Sequence, residues 1–239
     1  MTFEKQFTLF VEAFGGERIP ETSDGASADH FLGLRTFIAE LKVLSGDRTE
    51  AINAQVHKMI REWVISDPDT ARAFAKRNPK AIQLREMPPA IQQKWINLLK
   101  KNLEQYVRSA NRQIRSTKLL YSLPGARGLL IIFNAADHYH AHPESFRLII
   151  AELIRKKKPD GSLRYPNING LTYFSYETVK SHKEQMSFWA NGQFQHSPED
   201  DISDVKEMQA RLQASWYAYI SIRDGRIVRN HRDLPSESS

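Results

Sequence analysis

The sequence predicts an α/β fold, because two kinds of apolar pattern alternate along its 239 residues. Apolar residues recur at helical spacing over 3–14, 51–64 and 91–120. Short and nearly continuous apolar runs at 37–44 and 128–133 are instead typical of strands that are buried on both faces. Helices and strands that alternate in this way indicate a sheet covered by helices.

The first predicted element is an amphipathic helix over 3–14, which Gly15 and Gly16 end. A polar loop then leads into two strands. The remaining predicted elements are, in chain order, strands at about 29–34 and 36–44, a helix over 51–64, a short helix from Pro68, a long helix from Pro89 that ends before Pro124, a strand at 128–133, a helix from Pro143 to Lys158, strands near 170–176 and 186–195, a helix near 203–218 and a hairpin at 220–228. We expect one domain over 1–234, with a helical insertion at about 48–88 and a disordered tail at 235–239.

Composition narrows the classes of partner and of site. The formal net charge is +6 and the isoelectric point is about 9.4, which favours polyanionic partners, nucleic acid first and acidic membrane second. The chain has no cysteine, so disulfides and cysteine-ligated zinc are excluded. No apolar run reaches the length of a membrane span and the N-terminus does not have the pattern of a signal peptide, so we expect a cytoplasmic protein with no membrane partner.

Charged residues interrupt the apolar run at 37–44. Glu40 and Lys42 are two apart, so on a strand they project from the same face. Asp29 precedes Glu40 by eleven residues, and a hairpin would bring the two carboxyl groups side by side. Unpaired charge is costly to bury, and pairing or a metal ion reduces that cost. The alternative interpretation is an ordinary ion pair between Glu40 and Lys42 on a partly exposed strand, which contributes little to stability.

The order of elements, with Asp29 ahead of Glu40-Leu41-Lys42, resembles the PD-(D/E)XK nuclease superfamily. The resemblance implies a restriction-endonuclease-like core, in which helices flank a mixed central sheet, and hydrolysis of phosphodiester bonds with Mg²⁺ or Mn²⁺. Asp29 matches the family's aspartate, Glu40 its second acid and Lys42 its lysine, whereas Ala28 stands at the position of the family's proline. By the same resemblance, the backbone carbonyl of Leu41 is a further metal ligand, and DNA is the substrate.

The chemistry explains why these residue types occur together. Phosphodiester hydrolysis places negative charge on the phosphoryl oxygens and on the leaving oxygen, and a divalent cation offsets it. Magnesium prefers oxygen ligands and usually keeps several waters, so the carboxylates of Asp29 and Glu40 suffice to hold it beside a phosphate. Lys42 would lie near the attacking water or the phosphate, and the sequence leaves open whether it orients, stabilises or deprotonates.

Other residues extend the predicted site. Gln113 and Thr117 lie on one side of the long helix, facing the sheet, and Gln113 is predicted to support the metal or to touch the phosphate; a core glutamine is the alternative. Glu4 on the first helix is a candidate for an additional acid. Contacts with nucleic acid are predicted for Arg115, Lys118, Lys156 and Lys157, although the last two also suit the end of a helix.

Two other functions remain open at this point. A nuclease-like module without catalysis would bind nucleic acid or a protein partner, and homodimerisation is possible for either form. A zinc site could form at His138, His140 and His142, which would share a face if they lay on a strand.

Overall fold

A computed structural model of the protein describes residues 2–21, 27–44, 49–77, 88–134, 143–178, 185–196, 200–224 and 228–230. Its elements follow in chain order: α1 (Phe3–Ala13), β1 (Glu17–Arg18), β2 (His30–Leu32), β3 (Phe37–Leu44), α2 (Thr49–Ser66), α3 (Pro68–Arg77), α4 (Pro89–Leu120), β4 (Arg127–Asn134), α5 (Pro143–Ile154), β5 (Gly170–Thr178), β6 (Gln185–Gln193), α6 (Ser203–Asp224) and β7 (Val228–Asn230). The predicted α/β class is confirmed.

Seven strands form one mixed sheet in the order β1-β2-β3-β4-β5-β6-β7. Neighbours β1–β2, β2–β3 and β5–β6 are antiparallel, whereas β3–β4, β4–β5 and β6–β7 are parallel. Because β3 and β4 are parallel neighbours, a crossover connection must join them. This connection contains α2, α3 and α4.

A four-residue turn at 33–36 joins β2 to β3. Gly33, Leu34 and Arg35 all have positive φ, at 56°, 55° and 68°. The Thr36 hydroxyl closes the turn by donating to the Gly33 carbonyl at 2.6 Å. Left-handed backbone is unfavourable for residues other than glycine, and Leu34 and Arg35 both adopt it here. The turn therefore has a specific backbone conformation, which joins β2 to β3 in one register.

The two faces of the sheet are covered differently. Helices α1 and α6 cover one face, where alternate residues of β3 (Phe37, Ala39 and Leu41) join an aromatic core. That core includes the buried rings of Phe7, Phe10, Phe174, Trp189 and Trp216. Helix α4 covers the other face, onto which Glu40 and Lys42 project.

Close packing of α4 on that face depends on Gly128. A Cβ added to Gly128 would lie 1.8 Å from the Asn167 carbonyl oxygen and 2.9 Å from Cγ2 of Ile114 on α4. Only a residue without a side chain therefore fits between α4 and the loop that precedes β5.

The chain divides into two compact units, of which the first comprises Met1–Ser45 with Glu104–Ser239 and the second comprises Gly46–Leu103. The first unit contains the sheet with α1, α5, α6 and the C-terminal part of α4. The second unit is helical and has its own small core of Trp63, Ala71 and Ile91, against which Met59 and Ile60 pack.

The hairpin predicted at 220–228 is wrong, because α6 continues through these residues to Asp224. Met208, Leu212, Trp216 and Ile220 are buried at intervals of four residues, so the helical period extends into the start of the predicted hairpin. Residues 228–230 form β7, which pairs in parallel with β6. The predicted tail at 235–239 lies outside the described residues. No helix in the described ranges is long and apolar enough to span a membrane.

Candidate active site

Asp29 and Glu40 lie opposite each other across the β2–β3 hairpin. His30 pairs with Ala39 in this antiparallel ladder, and the Asp29 N–H donates to the Ala39 carbonyl at 3.2 Å. The next pair outward is therefore Asp29 with Glu40, and directly opposite residues share a face with Cβ atoms about 5 Å apart. The hairpin brings both carboxyl groups to the α4 side of the sheet.

The Asp29 carboxylate is held by the backbone of β3. Its Oδ2 accepts a hydrogen bond from the Leu41 N–H at 2.7 Å. A strand residue points its N–H and C=O towards the same edge, so the Leu41 carbonyl is directed to the same side of β3 as Asp29. The Asp29 carboxylate and the Leu41 carbonyl therefore lie on the same edge of β3, next to each other.

Glu40 is almost completely buried, with 1% of its surface exposed. Its Oε1 accepts a hydrogen bond from the Lys42 ammonium. Its Oε2 is also buried and accepts no hydrogen bond from an N–H or hydroxyl group of the described residues, so its one possible partner there is a proton shared with the Asp29 carboxyl group. A buried carboxylate oxygen without a donor is unusual, because such groups are nearly always satisfied.

Helix α4 fixes Lys42 and the backbone that precedes Asp29. The Gln113 Oε1 accepts from Lys42 Nζ at 3.0 Å and from Ser109 Oγ at 2.8 Å, while Nε2 donates to the Ser27 carbonyl at 3.2 Å. The fully buried Thr117 hydroxyl accepts the Ala28 N–H at 2.8 Å. The polar pair on α4 therefore connects the Lys42 side chain to residues 27–28.

The two carboxyl groups hold protons more tightly than free acids. Burial and then the negative charge of Asp29 together raise the pKa of Glu40 to about 8, against the lowering effect of Lys42. Burial also raises the pKa of Asp29, against the lowering effect of the Leu41 N–H. Near neutral pH and without a bound cation, the pair thus retains a proton.

These residues fit a hard divalent cation. The orphaned Glu40 Oε2 beside the Asp29 carboxylate provides the oxygen ligands that Mg²⁺ and Mn²⁺ prefer. No group of three or more His, Cys, Asp or Glu side chains suited to a metal occurs in the described ranges. Two carboxylates and a carbonyl are consistent with magnesium, which keeps much of its water shell.

A cavity of about 380 Å³ opens beside Asp29, whereas Glu40 and Lys42 do not line it. Four of the predicted site residues line it, namely Glu4, Asp29, Leu41 and Gln113. The sequence did not identify the other polar residues in its wall, which are Thr8, Arg18, Glu21, Ser27 and His30.

His30 adjoins the site from the opposite face of β2. Its Nε2 lies 3.2 Å from the Thr8 hydroxyl, and its ring meets Phe7 edge-on at 5.6 Å between centroids. Burial lowers the pKa of His30 to about 4, so the ring is neutral at pH 7. In the sequence, only its position next to Asp29 indicates that His30 lies near the site.

The residues predicted to contact nucleic acid do not line this cavity. Arg115 is exposed on α4, and Lys157 is exposed after α5. The Lys156 ammonium lies 3.6 Å from a Glu104 carboxylate oxygen. Lys118 is partly buried. Its pKa is lowered mainly by burial and also by the positive charge of Arg127. The predicted zinc ligands His138, His140 and His142 lie outside the described residues.

No family model, curated protein or solved structure matches this chain.

Proposed function

We propose that the protein is a Mg²⁺- or Mn²⁺-dependent nuclease that hydrolyses phosphodiester bonds, with DNA as the preferred substrate. The observation that carries this proposal is the buried Glu40, which faces Asp29 across a hairpin and leaves one carboxylate oxygen without a donor. We also infer a restriction-endonuclease-like core. The supporting features are α1 ahead of the sheet, the β2–β3 hairpin and the parallel alignment of β3 with β4.

Stability alone does not account for this arrangement. Buried ion pairs contribute little, and an apolar residue of similar volume is often as stable or more stable. Burial raises the pKa of both acids, and the charge of Asp29 raises that of Glu40 as well, which is unfavourable in a folded protein unless a ligand uses the pair. The charges are therefore best explained by a function that requires them.

A divalent cation at Asp29, Glu40 and the Leu41 carbonyl would offset negative charge on the phosphate and lower the pKa of a bound water. The chain's own residues prepare that site. The Leu41 N–H orients the Asp29 carboxylate, and Gln113 fixes the Lys42 ammonium beside Glu40. The Lys42 side chain is 19% exposed, so its ammonium can reach and stabilise the negative charge of a phosphate bound beside Glu40.

Metal-dependent DNA cleavage tests the proposal. Supercoiled plasmid and short duplexes are incubated with Mg²⁺, Mn²⁺ or Ca²⁺ and with Asp29→Asn, Glu40→Gln or Lys42→Ala. Each substitution should reduce the cleavage rate by at least about a hundredfold, as the loss of one charge-stabilising group does in other enzymes. Glu12→Gln, on an exposed position of α1, is the control and should cleave normally.

Full activity in all three site variants would rule out this assignment. Tight and salt-sensitive DNA binding with no cleavage in any of the metals would instead identify a nuclease-like module without catalysis.

A further inference from the structure

We propose that one surface of the first compact unit binds the sugar–phosphate backbone of the substrate. This surface, the cation ridge, consists of Arg108, Arg112 and Arg115 on α4 with Lys156 and Arg164 beside them. The inference rests on the proposed function, since it takes the substrate to be nucleic acid.

Helical geometry places the three arginines in one row. They stand at i, i+4 and i+7, so they share a face and span about 10 Å along the axis. All three are exposed. Gln113 follows Arg112 by one residue, a rotation of about 100°, and lines the cavity beside Asp29. Arg108 and Arg115 stand about 140° and 160° from Gln113, so the row faces away from the cavity, on the side of α4 where Asn111 contacts Asn167.

Acidic partners do not neutralise the cation ridge. Glu104 lies 2.9 Å from Arg164 and 3.6 Å from Lys156, so a single carboxylate serves both cations. Neither Arg112 nor Arg115 forms an ion pair within the described part of the chain. Three of the five cations, Arg108, Lys156 and Arg164, thus share the single carboxylate of Glu104.

A helix gains no stability from this arrangement. Like charges one turn apart repel each other, and the macrodipole acts only within the last turn of a helix, whereas Arg108 lies three turns before the end of α4. Arginine presents a fork of donors that matches phosphate oxygens, and an ordered row of such forks suits a repeating anion. A polyanion with regularly spaced phosphates is the complementary partner.

Lys118 does not belong to this surface. It is partly buried and interacts electrostatically with Arg127 and His196. Arg108 and Arg112 replace it in the predicted set of contacts.

DNA binding by a cleavage-deficient protein tests the cation ridge. The Asp29→Asn protein is titrated into a fluorescent duplex over a series of salt concentrations, with and without Arg112→Gln and Arg115→Gln together. Loss of two phosphate contacts should lower the salt slope, d log K/d log[salt], by about 2 and weaken binding by up to about 60-fold at 0.1 M salt. Circular dichroism verifies that the exposed substitutions leave the fold intact.

The matched control removes the same charge elsewhere. Lys206→Gln with Arg211→Gln changes two exposed cations on α6, the helix that covers the opposite face of the sheet. This control should retain the parent's salt slope. An equal loss of affinity in both double variants would show a general effect of net charge and would overturn the proposal, as would unchanged binding after substitution of Arg112 and Arg115.

Competition and cleavage separate the other outcomes. If polyglutamate displaces the duplex from the cation ridge as effectively as DNA does, the surface recognises acidic protein and the proposal fails. If DNA binding depends on the cation ridge but the unsubstituted protein does not cleave DNA, the proposed binding surface is supported and the proposed nuclease activity is refuted. Cleavage that depends on Asp29, together with DNA binding that is independent of Arg112 and Arg115, would keep the nuclease and refute the ridge.

Discussion

The buried Glu40 makes the stability of the metal-free protein depend on pH in an unusual direction. The pKa of Glu40 is about 8 in the folded protein, compared with an ordinary value of 4.5, which we take for the unfolded chain. Between these two values the unfolded chain has lost the proton that the folded protein still holds. The folded state thus binds more protons, so the free energy of unfolding decreases as pH rises through this window. The contribution is complete below pH 4.5 and lost above pH 8.

The size of the effect follows from the same two values. Each tenfold change in proton affinity corresponds to about 1.4 kcal/mol, so the full difference between 4.5 and 8 is on the order of 5 kcal/mol. His30 acts oppositely, because its pKa falls from 6.5 to about 4 and its contribution is lost as pH falls through that range. Above pH 6.5 the effect of His30 is complete, so only Glu40 still changes the stability. The free energy of unfolding should therefore fall by about 2 kcal/mol between pH 6.5 and pH 8.

Urea unfolding of the wild type and of Glu40→Gln, in the presence of EDTA at several pH values, measures this effect. Urea is uncharged, so it leaves the electrostatic interactions unscreened. The variant should lack the decline between about pH 6.5 and pH 8, and millimolar Mg²⁺ should remove most of it in the wild type. Parallel pH profiles for the two proteins would refute the reasoning, since the decline would then come from groups other than Glu40.

Two further predictions concern the neighbours of Glu40. Binding of Mg²⁺ at pH 7 should release close to one proton, measured by titration calorimetry in two buffers of different ionisation enthalpy, and Asp29→Asn should abolish both the binding and the release. Thr117→Val leaves the buried Ala28 N–H without its acceptor, so it should lower the free energy of unfolding by about 1–3 kcal/mol; an equal loss in Ser116→Ala, on the neighbouring position, would show that the hydroxyl is not responsible.

Patterns local in the chain predicted most of the elements. The apolar run 37–44 became β3, and the run 128–133 lies within β4, because a strand buried on both faces needs no polar alternation. The neighbourhood of Asp29 and Glu40 could be anticipated for a similar reason, since a short hairpin leaves few possible registers.

Contacts between distant parts of the chain could not be predicted in this way. The hydrogen bond from Gln113 to the Ser27 carbonyl spans 86 residues, and that from the Ala28 N–H to Thr117 spans 89. Such pairings depend on how α4 packs on the sheet, which no local spacing specifies. The polar pair on α4 could be recognised from helical periodicity, but its partners could not. The same limit applies to His30, whose contact with Thr8 crosses from β2 to α1.

The turn at 33–36 has a consequence for the way such a chain can change over time. Side chains alternate between the two faces of a strand, so one residue gained or lost in this turn would move the whole of β2 by one position relative to β3. Asp29 would then be carried under α1, and His30 or Ala28, depending on the direction of the shift, would take its place opposite Glu40. Length variation is ordinarily tolerated best in surface loops, yet here a single codon inserted at an exposed bend would separate the two acids as completely as deleting one of them.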